Sequence, residues 1–194
     1  ALTGHFVLSS LHAVDAVSAV HRFTDMGIEP FLVASAMSGV VGQRLLRRVC
    51  DSCRTPYIPP KEHQRLVFGS TGKVPEVWTH GAGCNECSGT GYSGRVGVYE
   101  LLRISDEIRD LIVNKATARE IRDLAIAQGM RTMQMEAFSL VVSGMTTVDD
   151  VLRSVYAPGM DSTDEGALLN EHQAGNAAES ELPAADVTQI GLSA

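Results

Sequence analysis

The sequence predicts an α/β protein with an inserted cysteine element, and three observations carry that expectation. Residues 6–11 form a short apolar run between a glycine and a polar turn, which reads as a buried strand of a parallel sheet. Apolar residues recur at helical spacing over residues 15–26, and a series of capped helical segments follows residue 105. The only four cysteines of the 194 residues fall into two Cys-x-x-Cys pairs, Cys50/Cys53 and Cys84/Cys87.

Composition bounds the answer. A hydrophobic fraction of 44% supports a buried core, while aromatics at 5% are sparse. The longest uncharged apolar stretch, residues 31–43, is far short of the ~20 residues of a membrane span and reads as part of a buried helix. The net charge of −7 is carried by the end of the chain. Beyond residue 160 there are seven acidic residues and no Lys or Arg, so the rest of the chain is formally neutral. A neutral body lacks the clustered positive charge on which nucleic-acid binding relies, so no nucleic-acid partner is expected. Residues 157–194, rich in Ala, Ser, Gly and Glu and without helical periodicity, read as a disordered acidic tail.

Taken in order, the strand at 6–11 leads to a helix whose apolar positions are Ala16, Val17, Val20, Phe23 and Met26, stopped by Gly27. Pro30 suits the first turn of a second helix, expected to run to about Val49 and to cover the strand together with the first. Pro56, Pro59 and Pro60 break the chain before a short helix at 61–68. Residues 95–104 alternate in part and read as a strand. Ser105 then caps a helix with Asp106 and Glu107 in its first turn. Thr117 and Glu120 make a capping box for a helix that stops at Gly129. Thr132 and Thr147 open two more, the first stopping near Gly144 and the second before Pro158.

The cysteine spacing has a physical cause. Two thiolates three residues apart on a tight turn both reach one ion at roughly 2.3 Å, and two such turns complete a tetrahedral Zn²⁺ site. Gly81, Gly83, Gly89 and Gly91 supply the backbone freedom such turns need. Arg47, Arg48 and Arg54 are expected to offset the charge of −2 left by four thiolates on a divalent ion. The alternatives are a disulfide pair or four unrelated buried thiols; no secretory signal opens the chain, and disulfides are rare in the cytosol. With no open coordination position, the metal would be structural.

His5 and His12, seven residues apart, cannot share a face of one unbroken strand, so one must lie at or beyond a strand end. In α/β sheets ligands bind at the carboxyl ends of strands, although spacing alone equally fits two ordinary hydrogen-bonded histidines. No phosphate-binding Gly-x-x-x-x-Gly-Lys-Ser/Thr loop is present. Gly69-Ser-Thr-Gly72-Lys73 is too short between its glycines and has no Ser or Thr after the lysine.

Thr3-Gly-His5-Phe-Val-Leu-Ser-Ser-Leu-His12-Ala resembles the histidine box of the secretion ATPase superfamily (GspE/PulE type), hexameric motors of type II secretion and type IV pilus assembly. The resemblance continues through Asp25-Met-Gly-Ile-Glu-Pro-Phe-Leu32 and Gln43-Arg-Leu-Leu-Arg-Arg-Val-Cys-Asp-Ser-Cys53. It resumes at Cys84-x-x-Cys87, Gly91-Tyr-Ser-Gly-Arg-Val-Gly97 and Glu100-Leu-Leu102, and closes with residues 144–153.

The resemblance implies that residues 1–49 are the C-terminal portion of a RecA-like P-loop NTPase core. Residues 50–97 are then a zinc-binding element held by Cys50, Cys53, Cys84 and Cys87, and residues 98–156 a terminal strand and helical cluster. It implies ATP hydrolysis with Mg²⁺ by the intact protein, and a catalytic contact of His5 and His12 with the nucleotide's terminal phosphate. It also implies a homo-hexamer, cytoplasmic and peripheral to the inner membrane, working with secretion or pilus platform proteins there. Two departures stand out. The P-loop and acidic Walker B segments are missing, so this chain alone is expected to be inactive. The family's Ser-Thr-Leu-His-Thr-Asn here reads Ser-Ser-Leu-His-Ala-Val. The alternative is a non-enzymatic zinc-stapled binding module, because residues 84–91 also match the Cys-x-x-Cys-x-Gly-x-Gly repeat of Hsp40 co-chaperones, or a zinc ribbon.

Overall fold

A computed structural model describes residues 3–155, and the expected acidic tail at 157–194 lies outside the described residues. The first helix, α1 (Ala16–Asp25), starts where Asp15 accepts a hydrogen bond from the Ser18 amide. Burial pushes the Asp15 carboxyl up, but the Ser18 amide and the Arg122 guanidinium outweigh it and hold the group below the usual carboxylate range. The second helix, α2 (Pro30–Ala36), is only two turns long.

After α2 the structure departs from the sequence expectation. Residues 39–49 are not helix but strand β1 (Gly39–Val49). Gly39 and Gly42 weaken a helix, and Val40 and Val41 favour a pleated backbone. What decides the matter is a partner more than forty residues further on. β1 pairs antiparallel with β4 (Tyr92–Arg103), from Gly39↔Arg103 to Val49↔Tyr92, with a register shift between Arg47 and Val49. The apolar stretch 31–43 is accordingly not a buried helix: Phe31 and Val41 are exposed.

The second departure is residues 6–11. They are coil, with Phe6 84% and Leu8 83% exposed, and both strand pairings among the described residues are antiparallel. A strand exists only through the neighbour that takes up its amides and carbonyls, and no described strand pairs with this segment.

Between β1 and β4 the chain makes a lobe. It holds a single 3₁₀ turn (Asp51–Cys53), strand β2 (Arg54–Pro56), helix α3 (Lys61–Thr71) and strand β3 (Thr79–Gly81), which pairs with β2. Four helices follow β4: α4 (Asp106–Val113), α5 (Ala118–Ala127), α6 (Met133–Val142) and α7 (Val148–Val155). Their starts are the predicted ones. Ser105 accepts from the Ile108 amide, Thr117 and Glu120 form the reciprocal box, Thr132 accepts from Met135, and the Asp150 amide donates to the Thr147 hydroxyl.

One face of the β1–β4 ribbon carries two hydrophobic clusters. Leu102, Ile104, Ile108 and Ile121 pack with Val17 and Val20 of α1, while Leu46 and Val98 pack with Phe138 of α6 and Val148 and Val151 of α7. Each such fully buried side chain contributes about 1.5–3 kcal/mol by leaving water. Alternate residues Val41, Leu45, Tyr99 and Leu101 point to the other face and are half exposed.

Two buried carboxylates lock the helices to the ribbon. Asp150 is fully buried and accepts from the Arg47 amide at 2.6 Å, from the Arg47 guanidinium at 2.7 Å and from Arg153 at 2.7 Å. The Arg47 guanidinium also lies 3.9 Å over the Tyr92 ring. Glu100, on β4, joins the starts of α1 and α6. Asp150→Ala should therefore lower stability by about 2–4 kcal/mol in urea unfolding, because it orphans a buried amide and breaks a hydrogen-bonded ion pair. Asp106→Ala removes an exposed carboxylate paired with Arg109, and its effect should stay within about 0.5 kcal/mol.

Candidate metal centre

The lobe's ends are brought together by the ribbon. Cys50 follows the last residue of β1, Cys87 lies five residues ahead of β4, and the Cys50 amide donates to the Gly91 carbonyl at 3.0 Å. The 3₁₀ turn then carries Cys53 round to the same point, and a tight turn at Cys84–Cys87 supplies the other pair. Gly81 and Gly91 stack backbone to backbone here. A Cβ at Gly81 would fall inside the Gly91 peptide, and Gly91 has φ +76°. Only glycine permits that approach.

All four sulfurs lie within 4.8 Å of one another. The Cys50–Cys84, Cys53–Cys87 and Cys84–Cys87 separations are 3.9, 3.8 and 3.7 Å. A tetrahedral ion with Zn–S distances of roughly 2.3 Å has sulfur–sulfur edges of about 3.8 Å. The donor set thus fits one thiophilic, tetrahedral cation. All four cysteines are free thiols, so the disulfide alternative is not realised.

Backbone amides face the sulfurs. Gly83 donates to Cys53 Sγ at 3.3 Å, and Cys84 and Gly91 donate to Cys87 Sγ at 3.1 and 3.2 Å. The Cys84 amide, helped by that of Gly91, draws the Cys87 thiol down to about 6. Burial, reinforced by the neighbouring thiols, pushes Cys53 up to about 12. Without a cation the cluster resists becoming four thiolates; a divalent ion supplies the charge that would let all four ionise.

The arginines are paired with carboxylates and make no hydrogen bond to the sulfurs among those described. Arg47 is held by Asp150, while Arg48 and Arg54 both pair with Asp51. The donors that reach the sulfurs are peptide N–H groups, which sit at fixed angles on the turns and need no side-chain ordering.

Residues 1–153 match the family described as type II/IV secretion system protein. The chain belongs to that family. It is 41% identical over 153 residues to the type IV pilus assembly ATPase PilB of Thermus thermophilus, covering 78% of this chain and 17% of that protein. It is 44% identical over 152 residues to the type II secretion system protein HxcR of Pseudomonas aeruginosa, 78% and 29% of the respective chains. With the type II secretion system ATPase E of Vibrio cholerae it shares 40% over 152 residues, 78% and 30%. The chain therefore spans less than a third of the length of these relatives.

The two histidines singled out for this family lie apart from the cysteines in sequence, in the coil ahead of α1. Both are exposed, and His5 Nδ1 lies 3.1 Å from the Thr3 hydroxyl. The Gly69–Lys73 stretch is the end of α3. Thr71 donates to the Val67 carbonyl, and Gly72 is a left-handed cap with φ +66°, so these residues close a helix and do not cradle phosphate. Glu100 is not among the site residues that the sequence suggests; its signals there are its place in the Glu100-Leu-Leu102 segment and its being the one acidic residue of a strand that also carries Arg95 and Arg103.

One Zn²⁺ per chain is expected by metal analysis, with four thiols becoming titratable only after chelation. Removal should unfold the lobe, since structural zinc contributes on the order of 10 kcal/mol in small peptides. Gly91→Ala should lower zinc retention nearly as much as Cys50→Ser, because it drives the two turns apart without touching a ligand.

Proposed function

We propose that the chain is the C-terminal part of a hexameric, RecA-like ATPase that hydrolyses ATP to power type II protein secretion or type IV pilus assembly. The observation that carries this reading is the family match over residues 1–153, which runs through the histidine segment, both cysteine pairs and the closing helices. The names of the relatives, secretion and pilus-assembly ATPases among them, support the activity.

In this reading Cys50, Cys53, Cys84 and Cys87 hold a structural zinc. The ion would supply no chemistry beyond cross-linking; with four protein ligands it keeps no position for water or substrate. The work of the chain's own residues is to close the lobe so that β1 and β4 stay in register at its base. ATP and Mg²⁺ are bound by protein segments outside this chain. His5 and His12 reach into that site, where an imidazole N–H can donate to the terminal phosphate as negative charge shifts onto it. Their position in an exposed coil, free of a local sheet partner, suits a contact made with the rest of the ATPase.

No helix among the described residues is long and apolar enough to cross a membrane. The proposed place is the cytoplasmic face of the inner membrane, bound peripherally to secretion or pilus platform proteins, with no role for nucleic acid.

The 194-residue chain alone should show no ATP turnover above background, because the phosphate-binding loop is not among its residues. In the full-length ATPase, His12→Ala should lower kcat by ~10²–10³ while nucleotide affinity stays within about tenfold. His5→Ala should act in the same direction. Steady-state kinetics with parallel nucleotide binding checks both, and normal turnover by His12→Ala would show that the histidine does not contact the reacting phosphate.

A further inference from the structure

The two hydrophobic clusters meet along the inner face of β4, where Val98 belongs to one and Leu102 to the other. The inward-facing position between them is Glu100, only 4% exposed. A carboxylate is unfavourable there unless its oxygens are satisfied. They are shared between two helices. Oε1 accepts from the Ala16 amide and Oε2 from the Met133 amide, each at 2.9 Å. These residues are the first of α1 and α6. One carboxylate thus closes two helix N-termini, taking up orphan N–H groups and facing both positive dipole ends.

The opposite strand leaves room for this. Gly42 pairs directly with Glu100, and a Cβ on it would come within 3.2 Å of the Met133 side chain and 3.7 Å of the Ala16 nitrogen. The start of α1 is fixed at two further points. Arg44 donates to the Val14 carbonyl at 3.1 Å, and Arg122 of α5 pairs with Asp15. His12 lies three residues before Asp15, at the boundary between exposed coil and anchored backbone.

We propose that Glu100 is a positioning residue for His12. It binds the start of α1 to the start of α6 through one side chain, so His12 is placed by the same contact that seats the C-terminal helices. The proposal rests on the reading of His12 as a phosphate contact. Its effect should fall on turnover, because His12 acts where charge builds, whereas most nucleotide affinity comes from other contacts. The chemistry of substitution is discriminating. A glutamine has a single acceptor oxygen, and its NH₂ group would confront an amide N–H, so one helix start must let go. An aspartate keeps two acceptor oxygens and the charge on a shorter stem.

The test compares Glu100→Gln, Glu100→Asp, His12→Ala and Thr132→Ala in the full-length ATPase, with kcat, KM, melting temperature and amide exchange measured for each. Thr132 caps α6 through the Met135 amide and not through Glu100, so it reports loosening of α6 without removal of the shared carboxylate. Glu100→Gln should lower kcat about tenfold or more with KM within about threefold. It should also speed exchange of the Ala16 and Met133 amides, while Glu100→Asp recovers most of the lost kcat. Thr132→Ala should lower the melting temperature with kcat unchanged. The proposal is overturned if Glu100→Gln costs no more kcat than Thr132→Ala while His12→Ala is impaired. It is equally overturned if Glu100→Asp is as defective as Glu100→Gln, or if exchange at the two amides stays slow. Normal turnover by His12→Ala instead removes the histidine reading itself, which the exchange data, reporting only the carboxylate's hold, leave separate. Should Glu100→Gln fail to fold, Gly42→Ala, whose Cβ would crowd both helix starts, takes its place, and a kcat no lower than that of Thr132→Ala then overturns the proposal.

Discussion

The antiparallel pairing of Gly39–Val49 with Tyr92–Arg103 is the constraint on which the described structure depends. It joins segments more than forty residues apart, so its closure entropy must be offset by contacts along its length, which gather at the cysteine end and in the middle. At one end the Cys50 amide bonds to Gly91 and the four sulfurs gather. In the middle Glu100 collects two helix starts. At the same end as the cysteines Arg47 binds Asp150 and lies over Tyr92. Losing the ribbon's register by one residue would turn Glu100 outward and Tyr99 inward, exchanging a satisfied carboxylate for an unplaced aromatic.

Both buried carboxylates are fully partnered, and this separates them from the exposed pairs elsewhere. Arg119–Asp123, with both side chains two-thirds exposed, is screened by water and contributes little. Glu100 is instead satisfied by two backbone amides, and Asp150 by one backbone amide and two guanidinium groups, which makes them specific as well as stabilising. The metal lobe follows the same rule. Its sulfurs are oriented by peptide N–H groups, and its arginines are occupied with carboxylates. The lobe can therefore close through backbone geometry and four ligands, without relying on mobile side-chain charge.

The lobe is inserted between two strands that pair with each other, so a metal held by the four cysteines would cross-link its base without reshaping the ribbon. In a member of the type II/IV secretion family this separates two tasks. The cysteines hold the lobe's base, while the outer ribbon face, with Val41, Leu45, Tyr99 and Leu101 half exposed, stands on the side away from the helices.

Local signals in the sequence determined the helix starts and the two cysteine turns. Ser105, Thr117 with Glu120, and Thr132 each cap through an atom three residues away, and two Cys-x-x-Cys turns carry their own geometry. Such features need no distant partner, so they are legible in one dimension. Tertiary structure decided what depended on long-range pairing. Residues 39–49 hold small and β-branched side chains that fit either a helix or a strand, and β4 made them a strand. Residues 6–11 look like a strand by composition but pair with no strand among the described residues. The arginines beside Cys50 and Cys53 are legible in the sequence as nearby positive charge, whereas their partners Asp51 and Asp150 emerge only in the fold. The role of Glu100 was not legible because its two partners lie 84 and 33 residues away, and only the converging helices make it a junction.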